Sequence, residues 1–461
     1  MGSDLFKPMR HAALMRRFGP FIFLSGVMGL DPVTGKVIGG LGELPADVRK
    51  QLASGDIHQD SVEGPILAQS WLTYQNMDRM LKSVGSSLDN LLHAIVFLRN
   101  IRETWVAFNR VRKMLVKNPP PSTAIEMPRL GVDDAVLLQI HVIAGIPDEH
   151  EKILAVELPK DGELARPRLY GAGVKRMDPL LFAMGTGGVE PKTRKIIMGL
   201  EDLPEEARKA LSTGDARRDA AEGKILAQTW VGYQNVKRYF EDAGASLGNV
   251  VQENIILRNV RENLGPVERV RRTVLGQPSP ATIVETPRLG ITDELLIEIH
   301  AIGAATDTGT KIESFPAAFE TPGAVMRKAG PFVFLTGMAS LDFQTGKPIG
   351  GLADLPVDVQ SRLTTGDMFR DALEGPVAAQ AWVAYNNIKK YLEKAGASME
   401  NILDEIIFMK NTREGWGPLD RVRRMLIKNP GPNTVIETRQ LSVSSDLLLE
   451  VHIIAGIPDG R

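Results

Sequence analysis

The chain contains one unit written three times, and this repetition constrains its fold more than any other feature. Offsets of 159 residues to the second copy and 311 to the third carry Gln69, Trp71 and Tyr74 onto Gln228, Trp230 and Tyr233, and onto Gln380, Trp382 and Tyr385. Solenoid repeats are far shorter, so each copy is expected to be a folded domain. Three like domains in one chain predict a closed ring with pseudo-threefold symmetry, the covalent counterpart of a homotrimer.

Composition narrows the classes of partner and compartment. A formal net charge of −1 over 461 residues gives no reason to expect nucleic acid or an anionic membrane as a partner. The chain has no cysteine, which excludes disulfides, thiolate metal sites and cysteine nucleophiles. Because no apolar stretch reaches membrane length and the N-terminus lacks a signal-peptide core, we predict a cytoplasmic protein.

Each copy shows the same order of strands and helices. In the first copy the pattern predicts strands at 12–17, 21–24, 94–98, 123–127 and 136–144, a short helix at 45–52, a long helix from 63–65 to Gly85, and a helix at 105–116. This order predicts an α+β domain with two helices on one face of a mixed sheet. The other faces of the three sheets would then be covered by packing against one another.

The copies stop matching in two segments that are richer in Pro, Gly and charge. These segments, near 147–165 and 304–322, are predicted linkers. The predicted domains are therefore residues 1–147, 164–306 and 318–461.

Several short motifs occur in the same order in the copies. In the first copy they are Ser25-Gly26 followed by Asp31-Pro32-x-Thr34-Gly35, then Gln69-x6-Asn76, Gly85-x-Ser87-Leu88-x-Asn90, Val96-Phe97-Leu98, and Pro120-x-x-Thr123-x-x-Glu126. The chain thereby resembles the RidA/YjgF family of small homotrimeric proteins with a chorismate-mutase-like fold. The resemblance implies three tandem RidA-like domains in a single-chain pseudo-trimer, with sites in the clefts between copies. An extra segment at 39–64 and the fusion itself depart from the family.

The resemblance also implies a chemistry. The best-studied family members hydrolyse imines and enamines to carbonyl compounds and ammonia, with an arginine that holds the substrate carboxylate. That arginine position falls on Ser122, Ala281 and Asn433, so the carboxylate clamp is missing in all three copies. Ser122 and Asn433 remain candidate substrate-binding residues.

The family's last-strand glutamate, which handles a water molecule, is present in two of the three copies. It corresponds to Glu298 and Glu450, but to Gln139 in the first copy. Glutamine cannot accept a proton, so Gln139 is a candidate for substrate binding and the three clefts are expected to differ.

A histidine is repeated two residues beyond each of these positions. His141, His300 and His452 therefore share a strand face with the preceding acid or amide. An imidazole beside a carboxylate can serve acid–base catalysis near neutral pH. Two alternatives stay open: a structural hydrogen bond at the interface, and a site where three histidines bind a metal.

Arginines also recur after the central strand, as Arg102, Arg261 and Arg413. One of them could replace the missing anion clamp, and the alternative is a surface ion pair at a helix start. The basic run at 110–113, which recurs in the other copies, is interpreted as a solvated helix face.

The leading hypothesis is a hydrolase or deaminase that acts on a small nitrogen-containing molecule such as an imine, enamine, hydroxylamine or cyclic amide. Glu298 or Glu450 would activate water, and the neighbouring histidine would carry the proton. No nucleotide or redox-cofactor motif is present, so no cofactor and no metal are expected.

The alternative to an enzyme is a non-enzymatic small-molecule binder or chaperone-like protein. A ribonuclease is disfavoured by the nearly neutral net charge. Self-association of the pseudo-trimer is left open.

Overall fold

The computed structural model describes residues 12–148, 152–157, 171–191, 193–290, 292–316, 323–342, 345–441 and 444–458. The first repeat begins with a strand pair and a helix pair and ends on a long strand. Its elements are β1 (Met15–Phe18), β2 (Phe21–Met28), α1 (Ala46–Leu52), α2 (Ile57–Lys82), β3 (Leu91–Leu98), α3 (Ile101–Leu115), β4 (Ser122–Glu126), β5 (Arg129–Leu130) and β6 (Leu138–Gly145).

The second and third repeats follow the same order. The second contains β7 (Leu154–Glu157), β8 (Ala172–Met177), β9 (Leu180–Ala183), β10 (Thr186–Gly187), α4 (Glu205–Leu211), α5 (Ala216–Asp242), β11 (Val250–Leu257), α6 (Val260–Leu275), β12 (Ala281–Glu285), β13 (Arg288–Leu289) and β14 (Ile297–Ala304). The third contains β15 (Ile312–Phe315), β16 (Met326–Ala329), β17 (Phe332–Leu335), β18 (Met338–Ala339), α7 (Val357–Leu363), α8 (Met368–Lys394), β19 (Ile402–Met409), α9 (Thr412–Leu426), β20 (Asn433–Glu437) and β21 (Leu449–Gly456).

The predicted α+β class is confirmed, because each repeat packs helices on one face of a mixed sheet. The central strands β3, β11 and β19 pair antiparallel with the last strand of their repeat, and parallel with the strand that follows its third helix. Apolar residues of the helices and of the facing strands form one core per repeat. No helix within the described ranges is both long and apolar enough to cross a membrane.

The start of the long helix differs from the prediction. Helix α2 begins at Ile57, because the Asp56 side chain accepts hydrogen bonds from the backbone amides of His58 and Gln59. Pro65 therefore lies inside the helix, and the predicted start at 63–65 was wrong. The predicted end is confirmed: Gly85, Gly244 and Gly396 follow the long helices with φ of 81°, 79° and 83°, which glycine adopts without strain.

Short strands pass between the repeats and connect them in a cycle. Strand β13 of the second repeat pairs with β4 of the first, and β5 of the first repeat pairs with β20 of the third. Leu441 of the third repeat forms a bridge with Val284 in β12 of the second. Each repeat therefore extends the sheet of one neighbour.

The sheet faces that point away from the helices pack against one another. Two apolar clusters draw residues from all three repeats, and in one of them Phe21 contacts Phe182 and Phe332 with ring centroids 6.4 and 5.3 Å apart. We call the three contact zones between these faces the 1–2, 1–3 and 2–3 seams, after the repeats that form them.

A basic residue at the same repeat position, on β1, β8 and β16, crosses a seam in each repeat. Arg16 donates to Glu400 O at 2.7 Å, Lys175 to Leu91 O at 2.7 Å, and Arg327 to Gln277 O at 2.8 Å. Each seam thus has one buried or half-buried cation bound to backbone carbonyls of the neighbouring repeat. Burial lowers the pKa of Lys175 to about 8.

The segments predicted as linkers also contain strands. β7 pairs with β8 at the edge of the second sheet, and β15 pairs with β16 at the edge of the third. The predicted domain limits at 1, 164, 318 and 461 lie outside the described residues, and the domain division stays a prediction.

Candidate active site in the seams

The repeated acids and histidines lie on the seam faces of the last strands. Gln139 and His141 are on β6, Glu298 and His300 on β14, and Glu450 and His452 on β21. Five of the six residues are buried, and Glu298 is partly exposed. The structure thus places the predicted catalytic residues where two repeats meet, one set in each seam.

Threonines of neighbouring repeats bind two of the three histidines. His141 Nδ1 lies 3.1 Å from Thr434 Oγ1 in the 1–3 seam. His452 Nδ1 lies 3.0 Å from Thr282 Oγ1 in the 2–3 seam. These hydrogen bonds match the structural alternative that the sequence left open for the histidines.

The 1–2 seam has a different pairing. His300 Nδ1 lies 3.3 Å from Nε2 of His93 in the first repeat, although Thr123 occupies the repeat position of Thr282 and Thr434. His300 Nε2 faces Glu298 Oε1 at 3.9 Å and has no hydrogen-bond partner among the described residues. A histidine pair and a carboxyl group therefore converge in this seam.

The position of His93 holds a different residue in each repeat. Gln252 of the second repeat donates from Nε2 to Leu335 O at 2.7 Å, and Asp404 of the third places Oδ2 3.2 Å from His141 Nε2. The three seams therefore differ in two polar positions, one on the last strand and one on the central strand. Sequence reasoning missed the second position, although its signal was available as a polar residue inside an apolar strand.

Burial shifts the pKa values of Glu298 and His300 in the 1–2 seam. Desolvation raises the pKa of Glu298 to about 8. Desolvation, together with the nearby His141, lowers the pKa of His300 to about 3. Near neutral pH the site therefore holds a carboxyl group able to give or take a proton, next to a neutral imidazole.

A glycine at the same position of the repeats makes room for these side chains, because it has no Cβ atom. A Cβ on Gly185 would clash with Glu298 Oε1 and lie 2.6 Å from His300 Nε2. A Cβ on Gly26, the same repeat position, would clash with the Gln139 amide and lie 2.9 Å from Thr434 Cγ2. The glycine of the Ser-Gly motif is thus a requirement of the site, a role that the sequence analysis did not assign.

Ser122 and Asn433, at the position where the family has its substrate-binding arginine, each lie next to a buried arginine from the preceding helix. Arg112 Nη2 donates to Ser122 Oγ at 2.6 Å, and the Asn433 amide, with its oxygen toward Arg423, accepts from Nη2 at 3.2 Å. The interpretation of the basic run as a solvated helix face was therefore wrong for its middle arginine, which is buried in all three repeats.

Two of the buried arginines bind a carboxylate of the central strand. Arg271 Nη2 lies 2.7 Å from Glu253 Oε2, and Tyr233 OH donates to Glu253 Oε1 at 2.5 Å. Arg423 and Tyr385 bind Glu405 in the same way. In the first repeat the corresponding residue is Ala94, so this carboxylate belongs to the second and third repeats.

The arginines after the central strand lie on the surface. Arg102 pairs with Asp293 of the second repeat, and Arg413 pairs with Asp134 of the first. Arg261 is exposed as well. Their placement agrees with the surface ion-pair alternative, and the substrate-binding role of Arg102, Arg261 and Arg413 stays a prediction.

The metal alternative finds no support in the geometry. Across the part of the chain that the structure describes, no group of three or more His, Asp or Glu side chains is arranged to hold a metal ion.

Comparison with known proteins identifies the family. The fold and the seam sites define an α+β protein built from three like units. The family model described as Endoribonuclease L-PSP matches residues 10–146 and 363–457, which together make up half of the chain. The chain belongs to this family, and the resemblance to the RidA/YjgF family is confirmed.

Some relatives match about one third of the chain, and one solved structure matches most of it. A RutC family protein of Pyrococcus abyssi is 24% identical over 139 residues, which cover 30% of this chain and 88% of the relative. A solved structure of a YjgF/YER057c/UK114 family member from Mycobacterium tuberculosis is 22% identical, with a TM-score of 0.23, and covers 33% of this chain and 100% of its own. A chorismatase structure is 14% identical, with a TM-score of 0.45, and covers 80% of this chain and 93% of its own.

Proposed function

We propose that the chain is a single-chain pseudo-trimer of RidA-like domains that hydrolyses a small nitrogen-containing molecule at the 1–2 seam. The substrate class is an imine, enamine, hydroxylamine or cyclic amide, and an imine is the simplest case. The cyclic exchange of short strands supports the pseudo-trimer. The observation that carries the reaction is Glu298, a partly exposed carboxyl group in a desolvated seam beside His300.

The position and ionisation of Glu298 suit both halves of the hydrolysis. Its carboxyl group donates a proton to the imine nitrogen, and the resulting carboxylate takes a proton from the water that adds to the carbon. The carbinolamine nitrogen is then protonated by Glu298, the carbon–nitrogen bond breaks, and the hydroxyl proton returns to the carboxylate as ammonia leaves. Because its pKa lies near neutral pH, Glu298 can act as acid and as base.

The other two seams are less suited to this cycle. Gln139 in the 1–3 seam cannot exchange a proton. Glu450 in the 2–3 seam is buried, and His452 is bound to a threonine hydroxyl. We therefore assign turnover to the 1–2 seam, and ligand binding without turnover to the 1–3 seam.

The test is ammonia release from a panel of imines, enamines, hydroxylamines and cyclic amides. Glu298→Gln is expected to lower kcat by about 100-fold or more, since general acid–base groups contribute that much. Glu450→Gln is the matched control in the 2–3 seam and is expected to retain turnover. If the double variant of Glu298 and Glu450 turns over substrate at the wild-type rate, the mechanism is wrong.

Two other functions are outcomes of the same panel. The absence of the arginine clamp at Ser122, Ala281 and Asn433 favours a non-enzymatic binder, which would be stabilised by a ligand in a thermal-shift assay and release no product. The family description favours an endoribonuclease, which would cleave RNA in the absence of any small molecule. The net charge of −1 speaks against RNA as substrate.

A further inference from the structure

We propose that His93 is a positioning residue for the proposed reaction: it crosses the 1–2 seam and fixes the ring and tautomer of His300, so that Nε2–H points at Glu298. The inference rests on the proposed function for its catalytic meaning. Its structural part can be tested without any substrate.

Packing holds the His93 ring in place. The ring is buried and lies against Phe182 with centroids 5.9 Å apart and an interplanar angle of 26°. It meets the His300 ring edge to face at 5.5 Å and 76°, which brings His93 Nε2 within 3.3 Å of His300 Nδ1. The His93 ring is therefore held between two other rings, and its rotation would break the hydrogen bond to His300.

The hydrogen-bond partners of His93 and His300 favour one arrangement of the protons on the two rings. His93 Nδ1 and His300 Nε2 have no partner among the described residues, so one of the two rings must carry an N–H without a classical acceptor. If His93 Nε2–H donates to His300 Nδ1, the remaining N–H is on His300 Nε2 and faces the Glu298 carboxyl group at 3.9 Å. The opposite arrangement would place an N–H on His93 Nδ1, away from that carboxyl group. The first arrangement is favoured because it directs the donor toward an acceptor.

This proton arrangement gives His93 a definite effect on Glu298. An Nε2–H group directed at Glu298 from 3.9 Å, beyond hydrogen-bond distance, favours the carboxylate form electrostatically, and the carboxylate is the form that activates water. The other titratable groups close enough to act on His93 are His141, His300 and His452, and a charge on any of these rings disfavours a charge on His93. A neutral His93 is thus the species that donates to His300.

The other repeats provide a natural comparison for this role. Gln252, at the same position, donates to two backbone carbonyls, and His452 binds Thr282 instead. Asp404 can only accept when ionised, so in the 1–3 seam the donor would be His141. At this position His93 is therefore the residue that contacts Nδ1 of the facing histidine, whereas Asp404 lies against Nε2 of His141.

The first experiment reads the tautomer directly by ¹⁵N NMR of histidine-labelled full-length protein. Wild-type His300 is expected to show the Nε2–H tautomer, and His93→Leu is expected to give a mixture of tautomers. His93→Gln, which keeps a side-chain donor, is expected to restore the wild-type signal in part. Gln252→Leu is the matched control at the 2–3 seam and is expected to leave the His300 signal unchanged. An Nδ1–H tautomer in the wild type, or an unchanged tautomer in His93→Leu, would overturn the proposal.

The second experiment measures turnover and separates this proposal from the proposed function. His93→Leu is expected to lower kcat by about tenfold with little change in KM, and to move the pH at which activity rises to a higher value, because the Glu298 carboxylate loses a donor. If Glu298→Gln has no effect but the tautomer follows His93, the proposed function fails and the structural role stands. If Glu298→Gln abolishes turnover but His93→Leu leaves kcat and the pH profile unchanged, the positioning role fails.

Discussion

Two carboxyl groups on neighbouring strands of the second repeat have opposite surroundings. Glu253 on β11 points toward the helices, where Arg271, Tyr233 and Ser279 all donate to it. Glu298 on β14 points into the 1–2 seam, where Nε2 of the neutral His300 imidazole lies 3.9 Å from its Oε1 atom. On the helix side of the sheet, the charge of Glu253 is therefore neutralised by Arg271. On the seam side, Glu298 faces no cation of this kind and can exchange a proton near neutral pH.

The largest expected effect is on the helix side. Glu253→Ala is expected to lower the free energy of unfolding by about 3–5 kcal/mol, because it leaves Arg271 buried without its main carboxylate. The measurement is chemical denaturation monitored by fluorescence. The double variant Glu253→Ala with Arg271→Met is expected to lose less than the single variant, since the uncompensated charge is gone. A loss below 1 kcal/mol in the single variant would show that the pair does not stabilise this core.

On the seam side, stability is expected to depend on pH. The pKa of Glu298 is raised in the folded state to about 8, above its value in the unfolded chain, so its contribution is complete at low pH and is lost as the pH rises through 8. The free energy of unfolding of the wild type should fall relative to that of Glu298→Gln by an amount on the order of 4 kcal/mol between pH 4 and pH 9. Taking the difference between the two proteins cancels the titration of the histidines. A difference that does not vary with pH would mean that the pKa of Glu298 is the same in the folded and the unfolded chain.

The helix side was the easier of the two to predict from the sequence. The apolar periodicity of the long helix, the glycines at its end and the order of strands all follow from local rules, and the structure agrees with them. The sequence contains two candidate helix starts, Asp56 as a cap and Pro65 as a residue of the first turn. The structure uses Asp56, so the helix begins at Ile57 and Pro65 lies inside it. The burial of Arg271 was missed because its partner Glu253 lies on a different element.

The seam could be predicted only in part. The repeated acids and histidines were visible as a pattern two residues apart on the last strand. Their partners were not, because His93 and His300 are 207 residues apart and meet only where the first and second repeats pack against each other. A sequence with three equivalent units does not say which repeat lies on which side of another, so the difference between the seams emerges only in three dimensions.

The smallest expected effect concerns the rim of the seams, where Arg102 pairs with Asp293 across the 1–2 seam. Both side chains are about half exposed, and such pairs contribute only about 0–1 kcal/mol. Arg102→Ala should therefore change the free energy of unfolding by less than about 1 kcal/mol, and Arg413→Ala, its counterpart at the 1–3 seam, should do the same. If Arg102→Ala also raises KM for an anionic substrate while Arg413→Ala does not, the arginine binds substrate at the 1–2 seam. Equal and small effects of both variants on stability and on KM would instead exclude a substrate-binding role for Arg102 and leave Glu298, His300 and His93 as the candidate residues of the 1–2 seam.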